Sequence, residues 1–417
     1  MRTFILVMAV LSLLLVWYNF QGIQQLAANW RASARKGFYL AYWLFFVGFL
    51  GLFGYAFYVR FTTDHTTPFI QWVINAFLTL LVTQLCFALV LLAEDVVRLK
   101  IALFRWLRSP WQAPAERPES PMPGRRKFIS QLALLVAALP FTSFVYGIVR
   151  GKYKYTLHRQ VLYFNDLPPQ FDGFTITQLS DIHSGSFTDP QAVQEGIQLA
   201  IEQQSDLFVF TGDLVNDQAS EIEPYMKAFA QIKAPFGQYA ILGNHDYGMY
   251  AEWNSREEEQ ANLEQLKQNI GRMGWGLLLD EHIALEKDGA TIHLLGVENW
   301  GRGFIEKGDL DKALQGVASD SFKILLSHDP SHWTEVVRHH PAHIHLTLCG
   351  HTHGMQVGIE TPLVKWSPVQ YRYRYWAGLA QELGKMLYVN RGFGFIGFSG
   401  RVGIWPEISV LELRRRV

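Results

Sequence analysis

The chain has 417 residues, enough for more than one domain, and a formal net charge of zero, which removes the global basic field expected of a nucleic-acid-binding protein. It is 49% hydrophobic and only 18% charged, and the apolar excess is concentrated before residue 150. The two cysteines, Cys86 in an apolar run and Cys349 beside a histidine pair, set no disulfide framework.

Four apolar runs open the chain, at 3–20, roughly 38–59, 69–93 and 128–149. A bilayer core needs about 20 apolar residues per helix, so each run is read as a transmembrane helix. The first lacks a small-residue cleavage site and further spans follow at once, which argues against a removable leader. Loop 21–37 carries Arg31, Arg35 and Lys36, and loop 94–127 carries eight basic residues, while loop 60–68 has only Arg60. Cytoplasmic loops are the basic ones, so everything after residue 150 is expected outside the cytoplasmic membrane, in the periplasm or beyond. Residues 109–127 read as a Pro-rich cytoplasmic linker. Arg125-Arg126-Lys127-Phe128-Ile129 heads the fourth run; it resembles a twin-arginine export signal and equally fits ordinary positive-inside anchoring. This divides the chain into a membrane region, 1–150, and a second domain, 151–417.

From about residue 155 short β-rich runs alternate with amphipathic helices, the pattern of an α/β domain. Strands are expected at 174–179, 207–210, 238–242, 322–326 and 343–348, helices at 190–204, 222–232 and 255–272, and a hairpin at 277–286 and 291–298. Each of the five strands runs into a polar cluster. The clusters are Asp181-Ile-His183, Gly212-Asp213, Gly243-Asn244-His245-Asp246, His328-Asp329 and Gly350-His351-Thr-His353-Gly354. Ligands of α/β sheets sit at the carboxyl ends of strands, so five such clusters point to one site. Imidazoles and carboxylates without a thiolate suit a metal centre for Mn, Fe, Zn or Co.

In that order the clusters resemble the calcineurin-like metallophosphoesterase superfamily over roughly 155–412, and the anchored layout resembles a membrane-bound bacterial branch of it. The resemblance implies an α/β sandwich of two mixed sheets flanked by helices. It also implies two divalent metal ions: Asp181, His183 and His353 on the first, Asn244, His328 and His351 on the second, and Asp213 bridging. His245 would face the leaving group as the catalytic acid, with Asp246 orienting it. The implied reaction is hydrolysis of a phosphate mono- or diester by a bridging hydroxide. Two metals ~3.5–4 Å apart supply that nucleophile and neutralise the phosphoryl oxygens. Gly354-Met355-Gln356 departs from the branch, which usually has a second glycine there; the departure touches the rim of the site and bears on substrate.

Arg391 and Arg401 are candidate phosphate clamps or, alternatively, salt bridges within the sheet. Trp366 to Trp376 interleaves aromatics with arginines and suits a membrane interface, a lid over the site or an edge strand; facing lipid, it would imply a lipid-linked phosphate as substrate. Two rival functions remain: a lipid-precursor pyrophosphatase such as UDP-2,3-diacylglucosamine hydrolase, and a catalytically silent membrane sensor of a phosphorylated ligand.

Overall fold

The computed structural model describes residues 2–63, 67–108 and 123–416. The expected Pro-rich linker lies, over 109–122, outside the described residues. The chain divides into two compact units, Met1–Tyr146 and Gly147–Val417.

The first unit holds α1 (Arg2–Leu26), α2 (Ala32–Thr63), α3 (Pro68–Arg108) and most of α4 (Pro123–Val149). All four are long and apolar enough to cross a membrane. At 1.5 Å per residue α3 is roughly 60 Å long, twice a hydrocarbon core, so the basic stretch expected as loop after residue 94 continues the helix to Arg108. Phe53 and Phe77 stack with centroids 3.9 Å apart, and Asn19 donates to the Gln84 carbonyl at 2.9 Å. Backbone groups in lipid are satisfied within each helix, which leaves packing and a few side-chain bonds to hold the helices together.

In the second unit the elements run β1 (Thr156–Phe164), β2 (Phe174–Leu179), α5 (Pro190–Ile201), β3 (Leu207–Phe210), α6 (Met226–Phe229), β4 (Gln238–Ala240), α7 (Arg256–Arg272), β5 (Gly276–Leu277), β6 (Glu281–Lys287) and β7 (Ala290–Gly296). They continue through α8 (Leu310–Ala313), β8 (Phe322–Leu326), α9 (Pro330–Glu335), β9 (Leu346–Cys349), β10 (Ile359–Glu360), β11 (Lys365–Trp366), β12 (Gly378–Glu382), β13 (Lys385–Val389) and β14 (Glu407–Arg415). Two six-stranded mixed sheets form, in the orders β1-β14-β2-β3-β4-β5 and β12-β13-β9-β8-β7-β6. β2, β3, β4 and β5 are parallel, as are β13, β9, β8 and β7.

Parallel strands are buried on both faces, and the alternation shows it. On β3, Leu207 and Val209 join the core between the sheets, while Phe208 and Phe210 pack on the far side with Val193 and Ile197 of α5 and Leu266 and Ile270 of α7. On β8, Ile324 and Leu326 face inward and Leu325 packs outward with Trp333 of α9. Asp189 caps α5 by accepting from Ala192 N–H, with Pro190 in the first turn.

Two expected elements come out differently. The stretch 277–286 divides: Gly276–Leu277 extends the first sheet, and Glu281–Lys287 pairs with β7 in the second through a turn with positive φ at Asp288 and Gly289. The helix expected at 222–232 is a 3-10 segment, Ala219–Tyr225, before the short α6, because Pro224 brings no N–H to an α-helical ladder.

β14 returns between β1 and β2 and carries Glu407, which locks the last strand down. Its buried carboxylate takes Arg391 Nη1 at 2.5 Å and the Tyr388 hydroxyl at 2.6 Å. Burial opposes ionisation, yet the Arg391 guanidinium outweighs it and holds the carboxyl at about 2, below its ordinary 4.5. A depressed folded-state value means that stabilisation is complete above about 4.5 and is lost as pH falls through about 2. The shift corresponds to a contribution on the order of 3 kcal/mol. Thermal unfolding of the full chain in detergent, followed by tryptophan fluorescence from pH 7 to 2, should show a steep acid limb. Glu407→Gln should be less stable at neutral pH and lose part of that limb; parallel curves for the two proteins would contradict the assignment.

Candidate metal centre

The register of the two sheets assembles the site. Leu179 of β2 pairs with Phe210 of β3, so Asp181 and Asp213 leave neighbouring strand ends. Leu326 of β8 pairs with Leu348 of β9, so His328 and His351 do the same in the other sheet. Backbone bonds continue past the strands, from Asp181 N–H to Gly212 O at 2.8 Å and from Gly350 N–H to His328 O at 2.9 Å. Gln178 ties the sheets together, donating to Thr211 Oγ1 at 3.0 Å and to Cys349 O at 2.9 Å.

Tight turns then aim the side chains. Asp181, His183, Asp213, His351 and His353 all have positive φ, between 47° and 71°. That conformation costs a residue with a Cβ roughly 1–2 kcal/mol, and Asp and His tolerate it better than most. Gly350 is required by close approach: a Cβ there would lie 1.9 Å from Ser180 Oγ and 2.2 Å from Asp181 Oδ2.

Two triads result, Asp181–His183–His353 and Asp213–His328–His351, each with its donor atoms within 4.8 Å of one another. His183 Nε2 faces His353 Nε2 at 3.0 Å, and His353 Nε2 lies 3.3 Å from Asp181 Oδ1. Asp213 Oδ2 reaches both triads, 3.5 Å from His183 Nε2 and 3.1 Å from His328 Nε2. His351 Nδ1 lies 2.9 Å from Asn244 Oδ1 and 3.3 Å from His328 Nε2. Asn244 donates its amide N–H to the Tyr250 hydroxyl at 2.9 Å, which turns its oxygen into the site.

This donor set fits two divalent cations. Two buried imidazole nitrogens 3.0 Å apart, with carboxylate oxygens converging on them, are a poor arrangement for neutral side chains alone and a good one around a cation. Burial pushes His183 down to about 3 and His351 to about 4, so their lone pairs are free at neutral pH. Burial, with the Asp213 charge adding to it, lifts Asp181 to about 6. Asp213 runs the other way: burial opposes its ionisation, but His328 and His245 hold it well below the usual carboxylate range. Burial works against the His328 imidazolium too, yet Asp213 raises it to about 10, so the pair forms an ion pair when no metal is bound.

Of the other expected site residues, His245 sits beside the ligands, half-buried, its ring 4.9 Å from that of His183. Its Nδ1 faces the Asn216 carbonyl at 2.8 Å, which makes Nδ1 the N–H and leaves Nε2 for other partners. Asp246 does not contact that ring. Its carboxylate accepts the N–H groups of Asp213, Leu214, Val215 and Gly243 at 2.7–3.3 Å, pinning two strand-end loops together. Burial and the neighbouring Asp213 lift Asp246 to about 7 against the pull of those donors.

Arg391 and Arg401 lie in the wall behind the site. Arg391 is buried between Glu407 and Glu360, holding the latter at 2.5 and 2.8 Å. Arg401 is fully buried; its Nη2 lies 3.0 and 2.6 Å from the carbonyls of Gly392 and Gly394 and 3.2 Å from His353 Nδ1, so it backs a candidate ligand directly.

Sequence reasoning missed Tyr373 and Asp329. The Tyr373 hydroxyl lies 2.9 Å from His351 Nε2 and donates to Asp329 Oδ2 at 3.1 Å, fixing the ring whose Nδ1 faces the site. Asp329 directly follows His328, which was a readable signal; Tyr373 lay within the aromatic–arginine segment but carried none of its own. A third group, Asp166–His343–His345, also gathers metal-type donors. There His345 Nδ1 accepts the Lys323 N–H at 3.0 Å, so Nε2 carries the proton offered to Asp166 at 2.7 Å and has no lone pair for a cation.

Residues 1–152 match the family described as "Probable Calcineurin-like phosphoesterase, transmembrane domain", and residues 174–355 match "Calcineurin-like phosphoesterase". Among curated proteins, the uncharacterized metallophosphoesterase YkoQ of Bacillus subtilis is 25% identical over 286 residues, covering 68% of this chain and 99% of that protein. YkuE of the same organism is 29% identical over 254 residues, covering 60% and 82%. The phosphodiesterase YaeI of Escherichia coli is 25% identical over 296 residues, covering 70% and 100%. With two metal-type triads on a two-sheet sandwich, the chain is a calcineurin-like metallophosphoesterase domain fused to an N-terminal four-helix transmembrane region.

Proposed function

We propose that the protein hydrolyses a phosphodiester outside the cytoplasmic membrane, at a site holding two divalent cations. One observation carries the reading: Asp213 Oδ2 faces an imidazole of each triad, at 3.5 and 3.1 Å. Asp181, His183 and His353 would hold one ion and Asn244, His328 and His351 the other, with Asp213 shared. The mixed N/O set is compatible with Mn, Fe, Zn or Co. When bound, such a pair neutralises the phosphoryl oxygens and supplies a nucleophile ionised near neutral pH. The protein's own part is positional. Asp246 and Gly350 fix the loops, Tyr373 and Tyr250 set the His351 ring and the Asn244 amide, and Arg391 and Arg401 buttress the wall instead of clamping phosphate. His245, its Nδ1–H held by the Asn216 carbonyl, presents Nε2 to the leaving oxygen and would protonate it as the imidazolium, a role typically worth ~10²–10⁴-fold. The diester preference is supported by the name of the Escherichia coli relative, and the external location by the basic loops.

A lipid-linked substrate is favoured by a specific surface. The hairpin β10–β11 exposes Leu363 (94%), Val364, Ile359 and Trp366, with Tyr371 (80%) beside it. Trp376, in contrast, is buried against Ile404 and does not belong to that surface. The hairpin is tied to the centre: Ser367 donates to Gly354 O at 2.7 Å, one residue after His353, and Arg391 grips Glu360 at its base. In a chain with four apolar spans, such an edge suits insertion at the headgroup level.

Turnover of bis(p-nitrophenyl) phosphate by the full chain with added Mn should fall at least 1000-fold in Asp213→Ala and about 100-fold in His245→Ala. Metal-independent turnover, or an unaffected Asp213→Ala, would sink the reading. In proteoliposomes, Leu363→Asp/Val364→Asp should lower the ratio of turnover on a bilayer-embedded p-nitrophenyl phospholipid to that on the soluble diester by about tenfold; equal loss on both would remove the lipid proposal.

A further inference from the structure

Next to the metal centre the domain carries a cavity of about 560 Å³ that the mechanism above does not use. Its wall includes three arginines, Arg302, Arg372 and Arg374, and a single carboxylate, Glu335. Tyr373 forms the partition. It is one of the lining residues, and its hydroxyl is the one 2.9 Å from His351 Nε2. Two of the arginines have partners: Arg302 pairs with Glu335 at 3.1 Å, and Arg374 with Glu382 at 3.2 Å. Arg372 pairs with no carboxylate among the described residues. Its guanidinium lies over the rings of Phe304 and Tyr373, 5.2 and 5.6 Å from their centroids. Those same rings pack on His351, at 4.8 and 5.5 Å. A cationic group is therefore held on aromatic faces one ring away from a candidate metal ligand.

The arrangement is built. Arg302 N–H donates to Ser331 Oγ at 2.9 Å, which fastens the 302 loop to the start of α9. Tyr375 and Glu382 hold Arg374 in place across β12. Two small hydroxyl residues, Ser331 and Thr334, complete the floor. The volume falls in the range of small-molecule sites, and an arginine fork without a carboxylate partner is the group that recognises a phosphate.

We propose that this cavity is a subsite for a second anionic group, a phosphate carried on the substrate beyond the scissile ester. The inference rests on the phosphoesterase reading and narrows its substrate class to esters bearing at least two phosphate groups. Arg372 is the principal contact, and Arg302 and Arg374, each ion-paired with a glutamate, flank it. Recognition by exposed guanidinium groups is modest and screened, so the preference should weaken with ionic strength.

The test uses the full chain in detergent with Mn and a matched pair of soluble esters, p-nitrophenyl butyl phosphate and the same diester with a terminal phosphate on the alkyl arm. Arms of two to six carbons remove any assumption about spacing. For the best arm, kcat/KM should favour the doubly anionic ester by about tenfold at low salt, through KM. Arg372→Gln should bring the ratio close to one, and Arg372→Lys should restore part of it. A wild-type ratio near one across all arms, or a ratio untouched by Arg372→Gln, overturns the proposal. Equilibrium binding of alkane-diol bisphosphates against the corresponding alkyl monophosphates, in wild type and Arg372→Gln, separates the two claims. If neither ester is cleaved while an Arg372-dependent preference for bisphosphate persists, the hydrolytic reading fails and the subsite stands. If the esters are cleaved and binding shows no preference, the subsite fails alone. Loss of preference with addition of free phosphate at the concentration that saturates the centre itself would assign the anion to the metal site and also overturn it.

Discussion

The shared carboxylate of Asp213 is the constraint on which the arrangement turns. It stands where the two sheets meet, with one oxygen within 3.5 Å of imidazoles from both triads and the other accepting the His245 backbone N–H at 2.9 Å. Such a group is costly to bury. Its charge is maintained by surrounding histidines, while the two nearest carboxyls, Asp181 and Asp246, are pushed upward by burial and by its charge. Like charges drawn this close oppose folding unless compensated, and cations at the two triads are the compensation the donor set fits. The crowding that destabilises the bare site is what a cation at each triad would relieve.

The fold meets this demand with local devices. Parallel strands in both sheets send their carboxyl ends to one place. Left-handed residues then reverse the chain within one or two positions, and a glycine admits the closest backbone approach at residue 350. Behind the ligands a layer of buried polar groups fixes orientation: Asp246 on four amide hydrogens, Arg401 on glycine carbonyls, and Arg391 between two glutamates. Arg391 also connects the anchored last strand to the hairpin that exposes Leu363, so the wall of the site and the apolar edge are one mechanical unit.

Much of this was legible in the sequence because it is local. The strands at 174–179, 207–210 and 322–326 have the bounds their β-rich runs suggest, and the polar clusters that end them converge. The four apolar runs need only length and hydropathy. What was not legible depends on distant partners. β14 inserts between β1 and β2 across some 250 residues of chain, and no local pattern states that pairing. Asp246 read as the partner of the adjacent His245; the actual partner is a carbonyl at Asn216, brought in by the loop after β3. Arg391 and Arg401 read as phosphate clamps or as ion pairs, and the glutamates and glycine carbonyls they hold are partners that no local pattern states. Tyr373 is buried among aromatics whose alternation suggests a surface, and only the tertiary fold places its hydroxyl on His351.

The most direct test of the central claim is electron paramagnetic resonance on the full chain loaded with Mn, with the metal content of the same sample measured. Two ions per chain with an exchange-coupled signal, replaced in Asp213→Ala by a single or uncoupled ion, is the result expected if one carboxylate unites both triads. One ion per chain in the wild type, or two that show no coupling, would contradict it.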